Sequence, residues 1–397
     1  MIYVHVPFCR SFCTYCDFYS EVATRCRKAE DAQKQEALFG DFADAIAAEA
    51  CFRAREITDD VNTLYIGGGT PSVLPLSAFQ TLLDALRSAG HSGSFEEFTV
   101  EVNPEDIVEK GPSYVEGLLD MGVNRISMGV QSFDDSVLKF MNRRHDSATA
   151  RKAYAILEEA GVQNISIDLI FGLPQLSSSA WSETLDKALG ISSRGVLPQH
   201  ISSYQLSVEP GSMLARLVEK GVWSEASDEL CREQYAALCS ALASAGYHHY
   251  EISNFAQPGF EARHNSAYWR HVPYVGLGPG AHSFIAPSST RHWNHPSLQS
   301  YLKAAESGDF ASVCDGESLD ADQLALERIM LGLRTSSGLP ESYLRDNCDP
   351  VAFDSALAAG HLVPAGNPAS KASLSEPYLR IPESHFFISD SIISSLV

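Results

Sequence analysis

Short β-branched segments alternate with segments of helical apolar spacing along the first half of the chain. Six such steps in succession predict a parallel α/β sheet with right-handed crossovers. The predicted strands are Ile2–Val6, Asn62–Ile66, Phe98–Val102, Asn124–Met128, Asn164–Ile170 and His200–Leu206. The predicted helices between them are Ala37–Phe52, Leu76–Ser88, Ser113–Leu119, Ala148–Glu159 and Trp181–Ile191. Periodicity leaves open whether the sheet forms a closed barrel, a partial barrel or an open doubly wound sheet.

The alternation ends after Leu206, which predicts a different organisation for the second half. There we predict helices at Glu225–Ala245 and Asp322–Thr335, an aromatic, glycine-rich segment at Ala262–Phe284, a loop at Ala365–Glu376 and a strand at His385–Ile388. The predicted units are a barrel core at residues 1–210, a completing or linking region at 211–315, and a small, mostly helical domain at 316–397.

Charge and hydropathy exclude several classes of partner. The 397 residues include 29 Lys and Arg against 50 Asp and Glu, a net charge of −21. Nucleic acids and anionic membranes need a positive face, so neither is an expected partner. No apolar run approaches the ~18 residues of a spanning helix, and the start MIYVHVPFC has no basic segment typical of a secretory signal. We therefore expect a cytoplasmic protein without a transmembrane segment.

Three of the nine cysteines crowd into one short segment directly after the first predicted strand. Cys9, Cys13 and Cys16 have the spacing C-x3-C-x2-C, which suits three thiolates that ligate three irons of a [4Fe–4S] cluster. The fourth iron then stays open to a substrate or cofactor. The alternatives are weaker, because a disulfide leaves one thiol over and zinc needs a fourth ligand. Zinc's candidate fourth ligands are His5, Asp17 and Cys26.

This cysteine segment, with an aromatic residue before its last cysteine, resembles that of the radical S-adenosylmethionine (SAM) proteins. The resemblance implies a partial (β/α) barrel of the radical-SAM type. It also implies that the amino and carboxylate groups of SAM bind the open iron, and that an electron from the cluster cleaves SAM to a 5′-deoxyadenosyl radical. The protein's part in such chemistry is to orient the cofactor and exclude water.

Polar residues follow four of the predicted strands where the strands end. They are the Gly67–Thr70 turn, Glu101, Gln131 and Asp168. The carboxyl ends of parallel strands form the ligand face of α/β folds, so these groups are expected to converge near the cysteines. Each also has a structural interpretation: a tight turn for the glycines and a solvated strand end for Glu101. Alternation could place Asp168 on either face of the sheet.

Several longer motifs resemble the oxygen-independent coproporphyrinogen III oxidase family. These are IYVHVPFC, YCDF, YIGGGTPS, VEVNPE, GVQSF, NRRH and IDLIFGLP, and similar motifs extend to about residue 284. The resemblance implies SAM contacts at Tyr3, Gly68, Gly69, Thr70 and Glu101. It further implies that positions which contact a second SAM in the oxidase correspond to Tyr15, Gln131, Arg143 and Asp168.

Within that family the chain resembles the HemW-like heme chaperones more than the oxidases. The oxidases carry a further cysteine where this chain has Phe18, and an extension ahead of the barrel. The segment from His264 to Trp269 matches the H-N-x-x-Y-W motif of the HemW-like group. A neutral histidine is a suitable axial ligand for heme iron, which makes His264 a candidate and His282 a competitor. A structural histidine among core aromatics is the other interpretation of His264.

These features predict a heme chaperone that binds heme, one [4Fe–4S] cluster and SAM, and that delivers heme to a target protein. A small electron-donor protein is the expected reductant. The first alternative is an oxygen-independent coproporphyrinogen III oxidase, which shares every cluster and SAM residue. The others are a radical SAM enzyme that acts on tRNA or a peptide, and an iron–sulfur protein with a vestigial SAM site.

Overall fold

The computed structural model describes residues 1–22, 29–57, 62–91, 94–365 and 376–397, so Cys26 and most of the predicted loop Ala365–Glu376 lie outside the described residues. In chain order the strands are β1 (Ile2–Val6), β2 (Phe8–Cys9), β3 (Glu21–Val22), β4 (Thr63–Gly68), β5 (Glu97–Val102), β6 (Arg125–Gln131), β7 (Ile165–Phe171), β8 (His200–Gln205), β9 (His248–Glu251), β10 (Asn254–Ala256), β11 (Val275–Leu277), β12 (His282–Ile285), β13 (Thr290–Asn294), β14 (Cys314–Ser318), β15 (Leu339–Pro340), β16 (Val363–Pro364) and β17 (Tyr378–Arg380). The α-helices are α1 (Ala29–Phe52), α2 (Leu76–Ser88), α3 (Pro104–Lys110), α4 (Pro112–Asp120), α5 (Asp135–Phe140), α6 (Ser147–Glu159), α7 (Ser178–Leu189), α8 (Met213–Glu219), α9 (Asp228–Ser244), α10 (Arg263–Trp269), α11 (Leu298–Ser307), α12 (Ala321–Gly332), α13 (Glu341–Asn347), α14 (Pro350–Ala358) and α15 (Ser389–Leu396).

One large sheet organises the fold. Its strand order is β11-β1-β4-β5-β6-β7-β8-β10-β9. The strands from β11 to β8 are parallel, and β10 and β9 are added antiparallel at the far edge. The six predicted strands are therefore present and adjacent in chain order, which confirms the α/β class.

The two faces of this sheet differ in polarity because side chains alternate along each strand. One row of paired residues runs through Val4, Ile66, Val100, Ile126 and Ile165, and all five are buried. The adjacent row on the opposite face runs through Tyr3, Tyr65, Thr99 and Arg125. The apolar face thus belongs to the hydrophobic core, and the other face carries the polar groups.

Several of the helices begin at residues whose side chains cap them. Asp146, Ser177 and Ser227 each accept a hydrogen bond from a backbone N–H in the first turn of α6, α7 and α9. Such caps satisfy amide groups that have no partner within the helix. Among the helices in the described ranges, none is both long and apolar enough to cross a membrane.

Two features of the second half differ from expectation. The predicted strand at His385–Ile388 is wrong, because Glu383–Ile388 forms a 3-10 helix after Pro382. Phe386 is buried there against the ring of His249, whereas Ile388 is exposed, so the run has no strand-like face. The short strands β9, β10 and β11 add both edges to the central sheet, although their three or four residues are too few for a periodic signal.

The last third of the chain contains α12 to α15 and a small sheet in the order β15-β17-β16. A second small sheet, β12-β13-β14, precedes it. The division at residues 210 and 315 stays a prediction.

Glu49 joins this later part of the chain to α1. Its buried carboxylate accepts hydrogen bonds from the backbone N–H of Gly278 (2.8 Å), the amide of Asn294 (2.7 Å) and the hydroxyl of Tyr301 (2.6 Å). Burial raises the pKa of Glu49, and these three donors oppose the rise. The carboxylate of Glu49 therefore ties α1 to three positions that lie far along the chain from it.

We expect Glu49→Ala to lower the free energy of unfolding by about 3–5 kcal/mol, because three buried donors lose their acceptor. Chemical denaturation measures the change. Glu36→Ala, at an exposed position of the same helix, is the control and is expected to change stability by less than about 0.5 kcal/mol. Equal effects of the two substitutions would contradict the role given to Glu49.

Candidate functional site

A cavity of about 460 Å³ lies at the carboxyl ends of the central parallel strands. It brings together residues from the cysteine segment and from the ends of β4 to β8. Eleven of the thirteen residues predicted from the sequence line it: Cys9, Cys13, Tyr15, Cys16, Gly68, Gly69, Thr70, Glu101, Gln131, Arg143 and Asp168. The expected convergence of polar groups at this edge of the sheet is therefore present.

Backbone hydrogen bonds hold the cysteine segment over the strand ends. The amides of Gly69 and Thr70 donate to the carbonyls of Val6 (2.8 Å) and Phe8 (2.7 Å). On the other side, the side-chain amide of Asn142 donates to the carbonyl of Phe12 (2.7 Å). These hydrogen bonds therefore hold the cysteine segment from two sides.

The glycine turn serves this packing as well as the cavity. A Cβ at Gly69 would lie 2.7 Å from the carbonyl oxygen of Phe8. A Cβ at Gly67 would lie 2.9 Å from the carboxyl carbon of Glu101. Gly68 has φ +105, a conformation that favours glycine. The sequence suggested a ligand approach for these glycines, and the structure adds their contacts with the chain itself.

The three thiols lie in different electrostatic surroundings. Burial raises the pKa of Cys9, although Thr70 Oγ1 lies 3.4 Å from its sulfur and opposes the rise. Burial also raises the pKa of Cys16 to about 12. The guanidinium of Arg143 donates to Cys13 Sγ at 3.4 Å. Iron binding would displace the protons of these thiols.

This donor set fits an iron–sulfur cluster. Three sulfur ligands stand on one short loop at the cavity wall, beside a buried cation that offsets thiolate charge. Within the ranges that the structure describes, no three His, Cys, Asp or Glu side chains are arranged to hold a metal ion. A [4Fe–4S] cluster instead takes each thiolate at a different iron.

Glu101 is a buried carboxylate with two donors. The hydroxyl of Tyr65 donates to Oε1 (2.6 Å), and the backbone N–H of Gly68 donates to Oε2 (3.1 Å). Burial raises its pKa to about 7, although the Tyr65 hydrogen bond opposes the rise. Near neutral pH, Glu101 therefore changes between an acceptor of hydroxyl hydrogen bonds and a neutral acid.

Asp168 faces the cavity, which resolves the ambiguity of its alternation pattern. It is paired with Ser202 in the sheet, and the hydroxyl of Ser127 donates to both of its carboxylate oxygens at 3.2 Å. Burial raises its pKa, and a hydrogen bond from Ser202 opposes the rise. The Asp168 carboxylate thus accepts its hydrogen bonds from neutral hydroxyl groups.

Gln131 and Arg143 stand close together at the end of β6. Gln131 has φ 67, the left-handed region that is strained for residues other than glycine, where the pairing with β7 is irregular. Arg143 donates to Asn103 Oδ1 (2.7 Å) and to the carbonyl of Gly129 (2.8 Å). Both side chains line the cavity.

Tyr3 and His264 lie outside the cavity wall. The Tyr3 hydroxyl is 3.0 Å from His5 Nδ1, one layer below the site. His264 is 1% exposed, and its two ring nitrogens lie 2.9 Å from Thr63 Oγ1 and 3.1 Å from the Tyr268 hydroxyl. Burial lowers its pKa to about 3. These contacts are those of a structural histidine, the alternative interpretation of this residue.

Sequence reasoning missed several residues that line the cavity. They are Tyr65, Asn103, Arg125, Ser127, Ser202 and Tyr204. All but Asn103 stand on the strands at even spacings, on the same face as Glu101 or Asp168. Extending the two-residue alternation from those carboxylates would have identified them.

The chain is similar to proteins of one family over most of its length. The model of the Radical SAM superfamily matches residues 3–188. A heme chaperone HemW of Synechocystis is 32% identical over 85% of this chain and 78% of that protein. HemW of Lactococcus lactis is 35% identical (85% and 82%), and HemW of Mycobacterium tuberculosis is 34% identical (90% and 88%). The chain belongs to the HemW family of radical SAM proteins.

The fold agrees with this membership. The radical SAM enzyme coproporphyrinogen III oxidase (HemN) of Escherichia coli superposes with a TM-score of 0.77, at 21% identity, over 99% of this chain and 89% of that one. This likeness shows that the sheet and its helices have the architecture predicted from the cysteine motif, the radical SAM fold.

The raised pKa of Glu101 predicts a pH dependence of stability. Because the folded state binds the proton more tightly than the unfolded state, this group stabilises the protein at low pH. The stabilisation is lost as the pH rises from about 4.5 through about 7. Relative to Glu101→Gln, we expect the wild type to gain about 2.5 kcal/mol between about pH 8 and pH 5. Denaturation curves across this range, without SAM, measure it, and parallel profiles for the two proteins would contradict the assignment.

Proposed function

We propose that this protein is a heme chaperone that binds heme, one [4Fe–4S] cluster and SAM, and passes heme to an acceptor protein. The observation that carries this proposal is the similarity to heme chaperones over 78–88% of their own length. The cavity supports it, because the cysteine segment and the strand-end polar groups meet at one site.

We assign the cluster to Cys9, Cys13 and Cys16. When bound, the cluster supplies one electron to SAM. The chain's own contribution is to hold the thiolates on a loop that is fixed by Gly69 and Asn142, and to place Arg143 beside Cys13.

We assign SAM to the polar wall beside the cysteines. Glu101, in its ionised form, would accept hydrogen bonds from ribose hydroxyls, while Gly68, Gly69 and Thr70 present backbone atoms beside it. Tyr15, Gln131, Arg143 and Asp168 are the residues proposed for a second SAM. Tyr3 would act through the layer beneath the cavity, since its ring lies 6.1 Å from that of Tyr65, which holds Glu101.

For heme we propose His282 as the iron ligand. It is exposed on β12, and its ring stacks on the indole of Trp293 with centroids 6.0 Å apart. The neighbouring protein atoms cover part of the ring, and this partial burial lowers its pKa and favours the neutral form that binds iron. His264 would have to give up two internal hydrogen bonds to do the same.

The acceptor of the heme and a small electron-donor protein are the proposed partners. The alternative function is oxygen-independent coproporphyrinogen III oxidase, whose E. coli member has the same fold. Product analysis with coproporphyrinogen III, SAM and reductant under anaerobic conditions separates the two. If the protein is a chaperone, we expect no decarboxylated product. Decarboxylated product in stoichiometric amount would contradict the chaperone proposal and support the oxidase.

We expect Cys→Ala at any one of Cys9, Cys13 and Cys16 to remove most of the iron and acid-labile sulfide after anaerobic reconstitution, because each thiolate holds a different iron. Cys51→Ala, at an exposed position on α1, is the matched control and should keep the wild-type iron content. Unchanged iron in a variant of the motif would overturn the cluster assignment.

We expect a one-to-one heme titration, followed by the Soret band, to saturate in the reconstituted wild type. His282→Ala should weaken binding by about tenfold or more through loss of the iron ligand, a change of about 1.4 kcal/mol. His248→Ala, at an exposed histidine beside Glu261, is the control. His264→Ala should lower stability but leave heme affinity within about twofold. A loss of heme binding confined to His264→Ala would reverse the assignment, and no saturable binding in the wild type would overturn the chaperone proposal.

A further inference from the structure

Arg125 is a buried cation without a direct partner among the residues that the structure describes. It is the first residue of β6, its side chain is 1% exposed, and it lines the cavity. Its guanidinium makes no ion pair or hydrogen bond with any of the described residues, and its Nε is buried without a partner. A buried charge of this kind is costly unless something neutralises it.

The other arginines of the cavity wall differ in this respect. Arg10 pairs with Asp106 at 3.3 Å, Arg144 pairs with Glu105 at 3.5 Å, and Arg143 donates to Cys13 Sγ and to neighbouring oxygens. Each of these three guanidiniums thus has at least one direct partner, whereas Arg125 has none among the described residues.

The two nearest carboxylates do not supply the missing partner. Glu101 is held by Tyr65 and Gly68, and Asp168 is held by serine hydroxyls. Both feel Arg125 only as a longer-range charge that lowers their pKa, against the larger effect of burial. The N–H donors of the Arg125 guanidinium therefore remain available to a ligand on the cavity side.

We propose that Arg125 binds a carboxylate of a ligand that enters the inner part of the cavity. A guanidinium matches a carboxylate through two parallel hydrogen bonds, which suits a fixed, buried recognition point. This inference rests on the proposed function for its ligands. The carboxylate has two possible sources there, a propionate of the heme or the α-carboxylate of a SAM molecule.

The test compares acid and carboxylate-free forms of each ligand. Iron protoporphyrin IX is titrated against its dimethyl ester, and SAM against 5′-methylthioadenosine. Both pairs are measured with the cluster-reconstituted wild type, Arg125→Gln and Arg125→Lys. Arg87→Gln, at an exposed arginine paired with Asp84, is the control, and thermal melting reports on folding.

We expect Arg125→Gln to weaken the acid form of one ligand by about 10- to 100-fold while its carboxylate-free form changes by less than threefold, with partial recovery in Arg125→Lys. Selective loss for heme assigns the propionate, and selective loss for SAM assigns the α-carboxylate. A purely structural role would weaken both forms equally, and that result overturns the proposal. Equal affinity of the wild type for the two forms of each ligand would also overturn the proposal. This comparison remains measurable if the variants fail to fold. Failure of the wild type to bind heme at all refutes the proposed function, while the SAM pair still tests Arg125.

Discussion

Two backbone hydrogen bonds join the turn after β4 to the cysteine segment, and the rest of the site depends on them. The amides of Gly69 and Thr70 reach the carbonyls of Val6 and Phe8 because no side chain at Gly69 keeps the two strands of backbone apart. This contact brings Cys9 next to Thr70 and places the loop over the strand ends. The glycine-rich turn that lines the cavity thus also supports the loop above it.

The polar face of the sheet explains how one cavity holds so many ionisable groups. The carboxylates of Glu101 and Asp168 on this face accept hydrogen bonds from neutral hydroxyl or amide donors. Burial therefore raises the pKa values of Glu101 and Asp168 without a direct counter-ion. A site with this balance is sensitive to any charged group that a ligand brings, since the surrounding dielectric is low.

The first half of the fold could be predicted because its elements are long and periodic. The predicted range Leu76–Ser88 coincides with α2, and Ile2–Val6 coincides with β1. The edge strands β9 to β11 could not be predicted in the same way, since three or four residues carry no period and their pairing depends on distant strands. His385–Ile388 has strand-like composition, but burial of Phe386 against His249 decided its helical turn.

The sequence by itself determined the cysteine spacing, the order of strands and helices, and the family, because these depend on local pattern and residue identity. Only the tertiary structure decided which face Asp168 takes, that His264 is held by Thr63 and Tyr268, and that Arg125 lacks a direct partner among the described residues. The physical reason is that sheet register and burial arise from pairing between segments far apart in the chain. Such pairing sets the neighbours of a side chain, and its neighbours set its charge and its availability to a ligand.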